Sequence, residues 1–209
     1  MWNYKLLSVL PVLLVFLSNS FAQDTIRENY ADGSLKSKGI LDSGLKQGCW
    51  HYFYPDGKPS SIECYKNGML DGEVKSFDFT GKLISIEQFR EGVEEDSAYY
   101  FYPNGVLKRK GIYKSGMYFG TWLTYYENGN LKQKGTYHNG MLDGFWIFYT
   151  EEGNKEFEGS YKESKEVGVW KLYNSKGYLQ MEGEMFDGNR IGVWREYNKR
   201  GKLVKTHTH

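Results

Sequence analysis

Eight glycines recur at a fixed interval of 24 residues: Gly33, Gly57, Gly81, Gly105, Gly129, Gly153, Gly177 and Gly201. Neither an insertion nor a deletion disturbs the interval. A period of this size marks a repeat architecture, in which each unit packs mainly on its neighbours and none buries a core alone. Other columns keep the same step. Six residues after the leading glycine stand Gly39, Gly111, Gly135, Gly159 and Gly183, with Glu63 and Glu87 in two copies. Eight residues after it come Leu41, Tyr65, Phe89, Tyr113, Tyr137, Tyr161 and Met185. Seventeen after it come Trp50, Trp122, Trp146, Trp170 and Trp194, replaced by Val74 and Ala98.

Within a copy the pattern has a period of two, not 3.6. Residues 120–126 read Gly-Thr-Trp-Leu-Thr-Tyr-Tyr, aromatic and β-branched as strands are. Asn104-Gly105 and Asn128-Gly129 are tight-turn pairs, because Asn and Gly both tolerate positive φ. Turns at Gly116 and Gly140 reverse the chain again, so each copy is expected to run strand, turn, strand, turn. Taking Asn128-Gly129 as a two-residue loop sets Trp122 opposite Gly135, Gly120 opposite Tyr137 and Tyr126 opposite Leu131. The same rule sets Trp170 opposite Gly183. Large rings are then expected to lie over the bare glycines that face them. A three-residue turn with a bulge would shift this register by one.

The run from Tyr126 through Asn-Gly129, Gly135, Gly140 and Trp146 resembles the MORN repeat in its bacterial variant form. The resemblance extends over nearly the whole chain after residue 29, strongly over 102–149 and 161–197 and weakly over 55–100. It implies an all-β fold: an elongated single-layer antiparallel β-meander of tandem 24-residue hairpin repeats, about seven copies and a partial one over 30–205. Roughly 14–16 strands are expected, and a sheet about 70 Å long. In that family the repeat positions are structural, here Trp50, Trp122, Trp146, Trp170, Trp194, Tyr113, Tyr137, Tyr161 and the eight turn glycines. No catalytic residue is implied. Bacterial members often carry an antitoxin-like label, and the family includes proteins thought to scaffold partners or organise membranes.

The ends differ from the repeat. Lys5, an apolar run from Leu6 to Leu17 and the small residues of Ser20-Phe21-Ala22 read as a secretory signal peptide over 1–22. An uncleaved anchor is the alternative, although the run is short for a bilayer span. Residues 23–29 form a lead-in and 206–209 a tail. The protein is expected to be exported, whether periplasmic, surface-bound or secreted. Without Lys5 the chain carries 26 basic and 26 acidic residues. That balance argues against a nucleic-acid surface, which needs excess Lys and Arg. Lys108-Arg109-Lys110, the densest basic cluster, reads as a solvated strand face.

Cys49 and Cys64 fall opposite one another in the hairpin around Asp56-Gly57, and both fit an oxidising compartment. A cross-strand disulfide is expected. Two facing thiols are the alternative, since a two-residue loop would put the pair at a hydrogen-bonded site.

Chemistry is sparse. There are four histidines, with His207 and His209 a weak pair, and no nucleophile elbow or phosphate loop among 25 glycines. No metal, cofactor or enzymatic activity is expected. Glu87, Glu91, Glu94, Glu95 and Asp96 form the sharpest local anomaly, a cation-site candidate that reads better as a degenerate copy with a solvated loop. The function expected is protein binding or scaffolding through an extended sheet face, with Tyr and Trp supplying contact area. A membrane- or polysaccharide-associated scaffold is the second expectation, and an antitoxin-like role rests on the family label.

Overall fold

A computed structural model describes residues 24–209. Residues 1–23, and with them the expected signal peptide, lie outside the described residues. The chain runs through β1 (Asp24–Asn29), β2 (Leu35–Asp42), β3 (Leu45–Phe53), β4 (Pro59–Lys66), β5 (Met69–Phe77) and β6 (Leu83–Arg90). It continues through β7 (Val93–Phe101), β8 (Leu107–Lys114), β9 (Met117–Tyr125), β10 (Leu131–His138), β11 (Met141–Leu142) and β12 (Gly144–Tyr149). The last five are β13 (Lys155–Lys162), β14 (Lys165–Tyr173), β15 (Leu179–Phe186), β16 (Asn189–Tyr197) and β17 (Leu203–Thr208). All 17 belong to one sheet. Each pairs antiparallel with its sequence neighbour, as in β1 with β2, β8 with β9 and β16 with β17. β11 and β12 both pair with β10, because Asp143 splits what is one strand elsewhere. The fold is the single-layer meander that the repeat implies, open at β1 and β17 among the described residues.

Two kinds of turn alternate, and they are not the ones the Asn-Gly pairs suggest. At Asn128-Gly129 the Gly129 amide donates to the Tyr126 carbonyl at 3.0 Å, and the Tyr126 amide donates to the Asn130 carbonyl at 2.8 Å. Only Gly129 is left-handed, at φ 89°. This is a three-residue loop closed by a bulged glycine. All eight leading glycines sit in the same region, between φ 75° and 89°. The two-residue turns lie between copies instead: Ser115 and Gly116 are both left-handed, at φ 51° and 74°, flanked by the pair Lys114 and Met117.

The longer loop moves the expected pair at the turn. Tyr125, not Tyr126, stands opposite Leu131. A second bulge then restores the register, since Lys132 is skipped and Gln133 faces Thr124. Farther in, Trp122 faces Gly135, Gly120 faces Tyr137 and Trp170 faces Gly183 as the sequence suggests.

The other side of each Trp strand is irregular as well. Lys110 faces Leu123 and Ile112 faces Phe119, so Gly120, Thr121 and Trp122 together oppose Gly111. Gly120 absorbs this bulge at φ 63°. Asp96 fills the same place in its own copy, at φ 72°, a conformation that Asp reaches more readily than most residues. The buried apolar residues are a single column, Trp50, Val74, Ala98, Trp122, Trp146, Trp170 and Trp194, each no more than 7% exposed. Among the described residues the core is therefore a row across the sheet, without a second layer.

Candidate functional site

On the face that carries this column, each indole lies over a glycine, but not the one paired with it in the hairpin. Trp122 covers Gly111, Trp146 covers Gly135, and Trp50, Trp170 and Trp194 cover Gly39, Gly159 and Gly183. A Cβ on any of those glycines would fall inside the ring. Gly120, expected beneath Tyr137, meets nothing. The bulge is the cause, because it turns the Trp strand toward the preceding strand. Each indole Nε1–H then donates to the carbonyl one residue beyond its glycine: Trp122 to Ile112 at 3.0 Å, Trp146 to Thr136 at 3.1 Å, Trp50 to Ile40 at 3.1 Å. The Tyr column closes the row edge-on. Tyr113 meets Trp122 at 5.2 Å, Tyr137 meets Trp146 at 5.1 Å and Tyr161 meets Trp170 at 5.1 Å. Exposed by 1–6%, the indoles hold the sheet together and offer a partner almost no surface.

The copies lacking Trp fill this face with polar groups. Glu63 accepts from Tyr65 at 2.5 Å and Ser61 at 2.8 Å, and Glu87 accepts from Tyr100 at 2.5 Å and Ser85 at 3.1 Å. Burial, then the bond to the carboxylate, pushes the Tyr65 and Tyr100 hydroxyls far above the usual tyrosine range. Burial raises Tyr113 and Tyr161 to about 12. The Lys46 ammonium lies 4.9 Å from the Trp50 ring and 4.7 Å from the Tyr65 ring. The Arg109 guanidinium lies 4.5 Å from Tyr100 and 5.1 Å from Trp122.

The acidic stretch does not come together. Glu87 belongs to the network just described, Glu95 accepts from the Ser115 amide at 2.7 Å, and Asp96 sits in its bulge beside Ser97. Among the described residues no group of three or more His, Cys, Asp or Glu could hold a metal ion. His207 pairs with Glu196 at 3.1 Å.

The opposite face carries Cys49 and Cys64, which are joined in a disulfide between β3 and β4. Their Cα atoms are 3.9 Å apart, on the narrow side of the antiparallel ladder (about 4.5 Å) rather than the wide, hydrogen-bonded one (about 5.5 Å). Farther along, Phe145, Val169 and Val193 stand immediately before three successive tryptophans and are 53%, 59% and 46% exposed. They line a groove of about 690 Å³ with Lys171, Glu182 and Arg195. Cross-strand pairing sets Glu158 beside Lys171, Lys171 beside Glu182 and Glu182 beside Arg195, an alternating row of charge. Tyr173 donates to Glu158 at 2.5 Å and Tyr197 to Glu182 at 2.7 Å, which fixes both carboxylates. Burial tends to raise the Glu158 carboxyl, but the bonds from Lys155 and Tyr173 outweigh it and hold the group below its usual range. Nothing in the repeat pattern singles out Phe145, Val169 and Val193. Their signal is a column that is apolar only in the last three of these Trp copies, after Cys49, Glu73, Ser97 and Thr121.

With this geometry in view, residues 46–67, 70–91, 97–115 and 120–139 match the MORN repeat variant family. The chain is a MORN repeat protein. The matched MORN copies include both that lack Trp, and the sheet continues the same hairpin beyond them to Thr208. No curated protein matches the chain. Two similar solved structures are the crystal structure of TcdB2-TccC3-Cdc42, with 12% identity over 87% of this chain, and that of TcdB2-TccC3-TEV, with 13% over 86%. Both have a TM-score of 0.25, and this chain spans 12% of the length of each.

Proposed function

We propose that this MORN repeat protein is a non-catalytic binding module whose partner is another protein, docked on the face away from the indoles between β12 and β16. The observation that carries the reading is the exposed stripe of Phe145, Val169 and Val193 on a face that nothing else in the described chain covers. Copies lie two strands apart, so three of them extend over about 19 Å, a length suited to the apolar centre of a modest protein interface. The stripe is flanked by Glu158, Lys171, Glu182 and Arg195. A partner with apolar side chains bordered by charges of both signs is the complement of that surface. The formal net charge of the chain is only +1, which favours a protein over a polyanion or an anionic membrane as the occupant of the whole face. We further propose that binding takes place after export. The Leu6–Leu17 run and the Cys49–Cys64 bond support that compartment.

The test is affinity capture from the envelope fraction and the medium, with the wild-type chain beside a Phe145→Lys, Val169→Lys double variant and a Lys110→Gln control. A protein held by the wild type and by the control, and lost by the double variant, supports the reading. Identical recoveries for all three would sink it.

A further inference from the structure

The indole face carries a concavity that the packing of the repeats leaves unused. It lies over β8, β9 and β10, has a volume of about 340 Å³, and is entered by Lys108, Arg109 and Lys132. Strict alternation would send Lys108 and Arg109 to opposite faces. The bulge beyond each three-residue turn cancels this: Tyr100 faces Arg109 and Phe101 faces Leu107, so Lys108 is the skipped residue and joins Arg109 at the same cleft. Lys132 is the skipped residue of the next copy and is delivered to the other wall. The basic cluster is thus split, with Lys108 and Arg109 on the indole face and Lys110 on the other.

We infer that this cleft binds an oxyanion, the carboxylate or phosphate of a molecule about the size of one sugar ring. Three observations converge. First, among the described residues none of the three cations meets a carboxylate within ion-pair distance. Glu87, which is bonded to the Tyr100 ring that Arg109 lies over, is occupied by the Tyr100 and Ser85 hydroxyls. Second, each cation lies over an aromatic ring. Arg109 stacks at 4.5 Å on Tyr100 and 5.3 Å on Tyr118, Lys108 lies 5.5 Å from the Tyr102 ring, and Lys132 lies 5.2 Å from the Tyr126 ring. A guanidinium stacked on its faces keeps its in-plane N–H donors free, and these match the two oxygens of a carboxylate or phosphate. Third, Thr124 and Gln133 line the cleft between the cations and supply a hydroxyl and an amide for neutral oxygens of the ligand. A concave site with aromatic walls and a few convergent polar groups is the general form of a small-molecule site, and this volume suits a small ligand. The arrangement is particular to this copy. The position of Arg109 is Ser61 and Ser85 in the copies before it and Phe157 and Met181 later in the chain.

The test is calorimetric titration of the full chain with glucuronate, glucose 6-phosphate and glucose. Saturable binding of at least one anion, at least tenfold tighter than glucose, is expected. The tighter of the two anions identifies the carboxylate or the phosphate as the group recognised. Arg109→Gln should weaken that binding by about tenfold or more, as expected for loss of a charge-assisted pair. Because Arg109 also packs on rings, Lys108→Gln with Lys132→Gln, both at exposed positions, provides a second arm and should weaken it comparably with an unchanged melting temperature. Lys110→Gln, on the same strand but the other face, should leave it unchanged. Absence of saturable anion binding, equal affinity for glucose, or equal weakening by Lys110→Gln overturns the inference.

Discussion

The stretch 102–149 and the stretch 55–100 share one backbone and fill its face in opposite ways. Around Trp122 and Trp146, bare glycines receive an indole and the indole N–H satisfies a carbonyl. Around Glu63 and Glu87 the large group has moved to the glycine position, and the Trp position has shrunk to Val74 and Ala98. The exchange is coupled across neighbouring strands: Gly39 with Trp50, Glu63 with Val74, Glu87 with Ala98, Gly111 with Trp122. Bulk moves from one member of the pair to the other while its chemistry changes from aromatic to carboxylate and hydroxyl. The packing unit is therefore a residue and the one eleven positions later on the adjacent strand: Glu63 with Val74 and Glu87 with Ala98 face each other directly, whereas Gly111 and Trp122 meet across the bulge.

The severest test removes an indole. Trp146→Ala should cost about 3–5 kcal/mol in denaturant titration, whereas Val74→Ala should cost far less. Similar losses at the two sites would erase the distinction between the regions. Next comes the disulfide, which joins β3 to β4 where the last indole before the polar copies meets Glu63. For its separation of 15 residues, reduction should cost about 3 kcal/mol, and hydrogen exchange should accelerate first in β4–β6. A uniform loss along the sheet would contradict that placement. The third test is the exchange itself. Gly135→Glu alone should cost more than about 2 kcal/mol by overpacking against Trp146. Adding Trp146→Val should recover about 1–2 kcal/mol of the summed single losses, because contacting residues are not additive. Strict additivity would refute the pairing of these positions.

The smallest effect concerns alkali. Tyr113 and Tyr161 titrate at about 12 in the fold against 10.0 ordinarily, so the folded state is favoured in full below pH 10 and loses that contribution as pH rises through 12. The polar copies should go further. Tyr65→Phe with Tyr100→Phe should remove the last phenolates to appear in an absorbance titration. If the wild-type hydroxyls all ionise together near 10, the half-buried Tyr–Glu bonds of the polar copies do not form as described.

Much of this was legible in advance. The glycine interval gave the meander and the facing pairs Trp122–Gly135 and Trp170–Gly183, because a strand's period of two leaves few registers once the turns are marked. The glycine each ring covers differs from the one it faces. Facing is a backbone relation, whereas the direction of an indole depends on the bulge at Gly120, and nothing local announces that three residues will oppose one. The sequence did hold the corrective signal, since Glu63 goes with Val74 and Glu87 with Ala98 only at the eleven-residue spacing. The cleft at Arg109 was hidden for a related reason: Lys108-Arg109-Lys110 looks like a solvated face until a bulge brings two of its members to one side.

The sequence alone determined the repeat, the number of copies, the all-β class and the pairing of Cys49 with Cys64 across one hairpin, since each follows from turn spacing and alternation. Only the tertiary structure decided which glycine each tryptophan covers, which cations share a cleft and which apolar residues remain uncovered. Those depend on how bulges rotate one strand against the next, and side-chain direction in a single-layer sheet is set by that rotation between neighbours rather than by residue type.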